Sequence, residues 1–124
     1  RAFRILLVDD DELIRLAVGP MLEMMGHQVD TAADGFEAVR RFEEGLQVDL
    51  VILDMNMPGL NGSETLDRLL TLRPGQRVLM ASGYHDQDIR ELMARHPDIQ
   101  SLQKPFSLDD IQRKFQDMGL AQDA

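Results

Sequence analysis

The chain contains no cysteine, which excludes disulfides and thiolate metal sites and gives no reason to expect secretion. No apolar run approaches the roughly 20 residues needed to cross a bilayer, and no signal-peptide pattern is visible. Basic residues are scarce: 13 Lys and Arg face 22 Asp and Glu, for a formal charge of -9. Such a chain repels nucleic acid and anionic membrane surfaces, so neither is an expected partner. Internal repeats, low-complexity stretches and linkers are also missing. What remains is a chain of 124 residues, 44% hydrophobic, a size that suits one domain with one core. The expected compartment is the cytoplasm. The first residue is Arg1 rather than methionine and a strand follows at once, the pattern of a piece excised from a longer chain.

Strand-like and helix-like segments alternate five times. Phe3–Val8 is an apolar run of buried-strand type. Residues 11–25 carry Ile14, Val18, Met21, Leu22 and Met25 at helical spacing, and Gly26 ends the pattern. Gly19-Pro20 conflicts with that helix, because an interior proline costs roughly 3 kcal/mol. Gln28–Ala32 is a second strand. Asp34, with Glu37 three residues on, has the form of a capping box, and Phe36, Val39 and Phe42 follow. Leu50–Leu53 is the third and central strand. Gly62–Leu72 is a helix with Leu66, Leu69 and Leu70 inward, closed by Pro74-Gly75. Val78–Ala81 is a strand, residues 86–95 a helix, Ile99–Gln103 a strand, and Leu108–Met118 a helix capped by Ser107 and stopped by Gly119. Strands separated by helices of about 10–15 residues predict an α/β fold: a doubly wound, five-stranded parallel sheet with helices on both faces.

Ligands of such sheets lie beyond the carboxyl ends of the strands. Asp9 and Asp10 follow the first strand, Asp54 ends the third, Ser82 follows the fourth, and Lys104-Pro105-Phe106 follows the fifth. Carboxylates converging at one edge repel each other unless a cation or proton holds them together, which points to a magnesium site around a nucleophile. Each residue also has a plainer reading. Asp at a helix start is a favourable cap, the expected role of Asp11. Ser82-Gly83 alone reads as a turn, Lys104 alone as a solvated surface lysine, and Asn61-Gly62 as turn chemistry. His27, His85 and His96 have no ligand spacing and read as surface residues, and the eight methionines mostly as core filling.

Taken together, Leu7-Val8-Asp9-Asp10, Leu53-Asp54-Met55-Asn56-Met57-Pro58-Gly59, Ala81-Ser82-Gly83 and Lys104-Pro105-Phe106 stand in order and at the spacing of one family. Over nearly its whole length the chain resembles the receiver (response-regulator) domains of two-component phosphorelays, of the flavodoxin-like receiver fold. The resemblance implies that Asp54 is the phosphoacceptor, receiving a phosphoryl group from a kinase histidine or from a small donor such as acetyl phosphate. It implies Mg²⁺, with Mn²⁺ as a substitute, held by Asp10, Asp54 and the backbone carbonyl of Asn56, with Asp9 acting through water. Lys104 would pair with Asp54 and then with phosphoryl oxygens, and Ser82 would bond the phosphoryl group and draw in its loop. The Lys104–Pro105 bond would be cis, Tyr84 and Asn56 would flank the phosphoryl group and set its lifetime, and the domain would catalyse its own phosphorylation and dephosphorylation. A histidine kinase or histidine phosphotransfer domain is the implied partner, and a transient dimer a further one.

The chain departs from the family pattern at Ser101, where many receivers carry the Tyr or Phe that couples to the hydroxyl. With Ser82-Gly83-Tyr84 and the Leu102–Phe106 ending, this looks more like the receivers of hybrid sensor histidine kinases. Leu13, Leu16, Pro20 and Met24 fall on the outward side of the first helix, a candidate docking face for the donor near Pro105-Phe106. Two other functions stay open. A magnesium-dependent phosphohydrolase would want a second acid where Asn56 stands, and a degenerate receiver would serve only as a protein-binding scaffold.

Overall fold

A computed structural model describes residues 2–83 and 87–120. The elements in chain order are β1 (Arg4–Val8), α1 (Glu12–Met24), β2 (Gln28–Ala32), α2 (Gly35–Glu43), β3 (Leu50–Asp54), α3 (Gly62–Leu72), β4 (Val78–Ser82), α4 (Gln87–Arg95), β5 (Gln100–Gln103) and α5 (Leu108–Asp117). The strands form one parallel sheet in the order β2-β1-β3-β4-β5, so β3 is central as its all-apolar sequence predicts. Strand β2 and helix α3 have the expected bounds, and the other elements whose bounds the sequence set differ from them by no more than one residue at either end.

Alternation along each strand splits the core into two layers. Leu6, Val8, Val51, Leu53, Val78 and Met80 pack under α2, α3 and α4, whereas Ile5, Leu7, Leu50, Ile52 and Leu79 pack under α1 and α5. Helix α1 runs unbroken through Gly19-Pro20. Proline's missing N–H leaves only the Leu16 carbonyl without its helical donor, and Pro20 is exposed, so the loss falls toward water. Met55, Met57 and Met80 are buried, while Met24 is exposed.

Five local expectations are corrected. His27 is buried, not on the surface: its ring stacks on Phe3 at 5.0 Å, meets Phe115 edge-on at 5.5 Å, and its Nδ1 accepts the Phe3 N–H at 3.1 Å. These partners come from opposite ends of the chain, which no local pattern reveals. His96 is half-buried and pairs with Asp67 of α3 at 3.4 Å, and His85 lies outside the described residues. Asn61 is more than turn chemistry; with Glu64 it forms the reciprocal capping box of α3. At α2 the box is altered: Asp34 accepts from the Glu37 N–H, but the Glu37 carboxylate takes the Ala33 N–H. Phe36, on the predicted stripe of α2, is exposed and lies over Gly59.

Candidate functional site

The chain runs from β1 outward to β2 and returns across to β3, so the strand order reverses between β1 and β3. Open α/β sheets carry a crevice at that point, beyond the carboxyl ends of the strands. The register places Val8 beside Leu53, and thus sets Asp9 and Asp10 next to Asp54 across it.

Asp54 closes a strand buried at every position and is itself 4% exposed; Asp9 is 2% exposed, and Asp10 lies open to solvent. One carboxylate oxygen from each of the three can be chosen so that all lie within 4.8 Å of one another. At an effective interior dielectric near 20, a pair of unit charges at that range repels by on the order of 3 kcal/mol. Lys104 relieves part of this. Its Nζ stands 2.8 Å from Asp9 Oδ2 and 3.0 Å from Asp54 Oδ1, so it bridges two acids where the family resemblance implied one. The Lys104 N–H donates to the Ser82 carbonyl at 2.7 Å, and the following peptide, Lys104–Pro105, is cis.

Backbone donors fix the acids. The Asn56 N–H reaches Asp54 Oδ1 at 3.2 Å, and the Asp11 N–H reaches Asp9 Oδ1 at 2.9 Å. Asp11 caps α1 through the Leu13 N–H, as expected. Met55 N–H donates to the Ala81 carbonyl at 2.8 Å, tying the tip of β3 to the strand that ends in buried Ser82. Gly62 closes the loop after β3. A Cβ there would stand 2.5 Å from the Asp54 carbonyl oxygen and 2.6 Å from Met55 Cα, so only glycine fits.

Burial pushes the Asp54 carboxyl up to about 6, against the lowering pull of Lys104; Asp9 adds to the rise. Burial works against the charge on Lys104 too, but its bonds to Asp9 and Asp54 prevail and its pKa is raised. The donor set suits a hard divalent cation. Among the described residues, three carboxylates meet one directly bonded lysine, which leaves two excess negative charges at one opening, and every candidate ligand is oxygen.

Asp9, Asp10, Asp54 and Lys104 are therefore brought together as the sequence predicts. Asn56 flanks them through its backbone and is exposed; Ser82 stands at the tip of β4, one residue beyond the partner of Asp54. Tyr84 lies outside the described residues. Ser101 is half-buried in mid-β5 beside Met80. Sequence patterns gave no role to Arg15, whose Nη1 donates to the Asp9 carbonyl at 2.6 Å. The one signal it offered was a cation on the apolar stripe of α1.

Sheet order and carboxyl-edge site define a class, the flavodoxin-like receivers. The chain belongs to the response regulator receiver domain family, whose model matches residues 5–116. It is 32% identical over 108 residues to sporulation initiation phosphotransferase F of Bacillus subtilis, covering 87% of this chain and 86% of that protein. It is likewise 32% identical over 120 residues to the sensor kinase CckA of Brucella abortus, of which it spans only 13%. Among solved structures, chemotaxis protein CheY4 of Vibrio cholerae matches with a TM-score of 0.85 and 27% identity, over 95% of this chain and 99% of that one. The chain is thus a receiver domain of phosphorelay signalling. Receivers generally bind Mg²⁺ and interact with histidine kinases or phosphotransfer proteins. Among the described residues, no helix is long and apolar enough to cross a membrane.

Proposed function

We propose that Asp54 is the phosphoryl acceptor of this receiver and that Asp9, Asp10, Asp54 and the Asn56 carbonyl are its Mg²⁺ site, with Mn²⁺ able to substitute. The observation that carries this is the buried Asp54 carboxylate at the tip of the central strand, within 4.8 Å of two further acids and 3.0 Å from Lys104 Nζ. A carboxylate oxygen of Asp54 forms a bond to phosphorus as the P–N bond to the donor imidazole breaks; the electron pair stays on nitrogen, which takes up a proton. Asp54 must be ionised to attack, and with its pKa near 6 it is mostly so at pH 7.5. Bound Mg²⁺ supplies neutralisation of carboxylate and phosphoryl charge and a template for in-line geometry. Lys104, held between Asp9 and Asp54, is placed to follow the charge onto phosphoryl oxygens. Ser82, on the neighbouring strand tip, donates to the phosphoryl group and carries the change into its loop.

Intact mass after incubation with acetyl phosphate and Mg²⁺ tests this. One phosphoryl adduct is expected in the wild type, none without metal and none in Asp54→Asn. An adduct that survives the substitution, or a folded wild type that takes none, overturns the assignment.

The donor is a histidine kinase or phosphotransfer domain, docking on the outward face of α1, where Leu13, Leu16 and Met24 are 74%, 63% and 88% exposed. Leu16→Glu should slow transfer from that donor and leave acetyl-phosphate labelling intact; equal slowing of both would sink the docking face. The likeness to a sensor kinase supports a hybrid-kinase parent for this domain.

A further inference from the structure

Arg15 stands on the core-facing stripe of α1. Val18 and Leu22, three and seven residues on, are buried, while Leu13 and Leu16 are exposed. A guanidinium there is half-buried and needs an acceptor, because burying an unpaired charge is unfavourable. The acceptor it takes is the main-chain carbonyl of Asp9, at 2.6 Å.

That carbonyl belongs to the peptide joining Asp9 to Asp10. Every other polar group of Asp9 is also engaged. Its N–H donates to the Ala32 carbonyl at 3.2 Å, Oδ1 accepts from the Asp11 N–H and Oδ2 from Lys104. Asp10 itself is exposed, so its position depends on the peptide before it. We infer that Arg15 is a positioning residue of the acidic site: by holding the Asp9–Asp10 peptide it fixes where the Asp10 carboxylate stands and so sets cation affinity. This rests on the reading of Asp9, Asp10 and Asp54 as the Mg²⁺ site.

The geometry also separates two roles. A merely nearby positive charge would weaken cation binding, and its removal would tighten it. A tether does the reverse, since outer groups that orient metal ligands raise affinity, and losing one typically costs about 10-fold. Arginine suits the task because its planar, permanently charged fork bonds a carbonyl without risk of deprotonation.

Mg²⁺ titration calorimetry of the whole chain decides the point, with melts in EDTA as the fold control. Arg15→Met should weaken Mg²⁺ about 10-fold, and Arg15→Lys, which can still donate to the carbonyl, should recover most of the loss. Acetyl-phosphate labelling of Arg15→Met should be slow at low Mg²⁺ and return to the wild-type rate at saturating Mg²⁺. Val18→Ala loosens the same helix through its buried face and should leave Mg²⁺ affinity unchanged. Unchanged or tighter Mg²⁺ binding by Arg15→Met overturns the inference and leaves the metal site standing. Equal weakening by Val18→Ala also overturns it, since helix packing would then be the cause. A folded wild type that binds no Mg²⁺ overturns the metal-site reading and this inference with it.

Discussion

At the amino edge of the sheet His27 lies buried between Phe3 and Phe115, while at the carboxyl edge Asp9 and Asp54 lie buried beside Lys104. Desolvation acts on both edges and favours the neutral form of each group, lowering the pKa of His27 and raising that of Asp54. The outcomes differ. His27 settles as a neutral ring with an amide donor and two aromatic neighbours, a finished piece of core. The acids cannot settle that way, because three of them share one opening and, among the described residues, only Lys104 bridges them directly. Polar burial that is complete serves stability, and polar burial left unbalanced serves binding.

The largest test of this contrast is Phe115→Ala. It removes a fully buried ring from the amino edge and should cost about 3–5 kcal/mol in denaturant unfolding, with Mg²⁺ affinity unaltered in the protein that remains folded. A matching loss of Mg²⁺ affinity would join the two edges into one unit.

The next effect is opposite in sign. The native Asp54 carboxyl titrates near 6 against 3.8 unfolded, so the native state holds the proton more tightly. Its contribution to stability is full below pH 3.8 and is lost as pH rises through about 6. By linkage the loss is on the order of 3 kcal/mol at most, since each unit is worth about 1.4 kcal/mol. Asp54→Asn should therefore be the more stable protein at pH 7.5 without Mg²⁺, the gap closing toward pH 4. A variant less stable than wild type at pH 7.5 would mean that the Lys104 contact outweighs desolvation.

The smallest effect belongs to His27. Its native pKa is lowered, so its contribution is full above 6.5 and is lost as pH falls toward the native value. The two edges thus have opposite pH slopes where their titrations overlap, below about pH 6. His27→Gln should flatten the acid-side fall that Asp54→Asn lays bare. If the fall is unchanged, His27 binds its proton equally well folded and unfolded, and its burial carries no pH dependence.

Much of this is legible in the sequence. The periodic change between buried strands and amphipathic helices specifies the sheet, and the acids at strand ends mark its functional edge. Lys104, an ordinary surface residue on composition, becomes readable only through its place in that set. Three things are not legible. His27 stands just after a helix-ending glycine, with nothing nearby to announce two phenylalanines from the chain's ends. Arg15 looks like a flaw in an apolar stripe, because its acceptor is a main-chain carbonyl, which has no sequence signature. Asn61 passes for a turn because Asn-Gly is common turn chemistry, and its capping role shows only with Glu64 folded back on it.

By itself the sequence determined which elements form, because hydrophobic period, caps and breakers are local properties with local costs. It also determined where the chemistry stands, since carboxyl ends of parallel strands gather at one edge whatever the order of the strands. The tertiary structure alone decided the rest: Lys104 between two acids instead of beside one, the shift of Asp54, and Arg15 on the Asp9 peptide. Each of these depends on distances of 3 Å or less between groups on different elements or loops, or on how much water is excluded from them, and neither is encoded in any one segment.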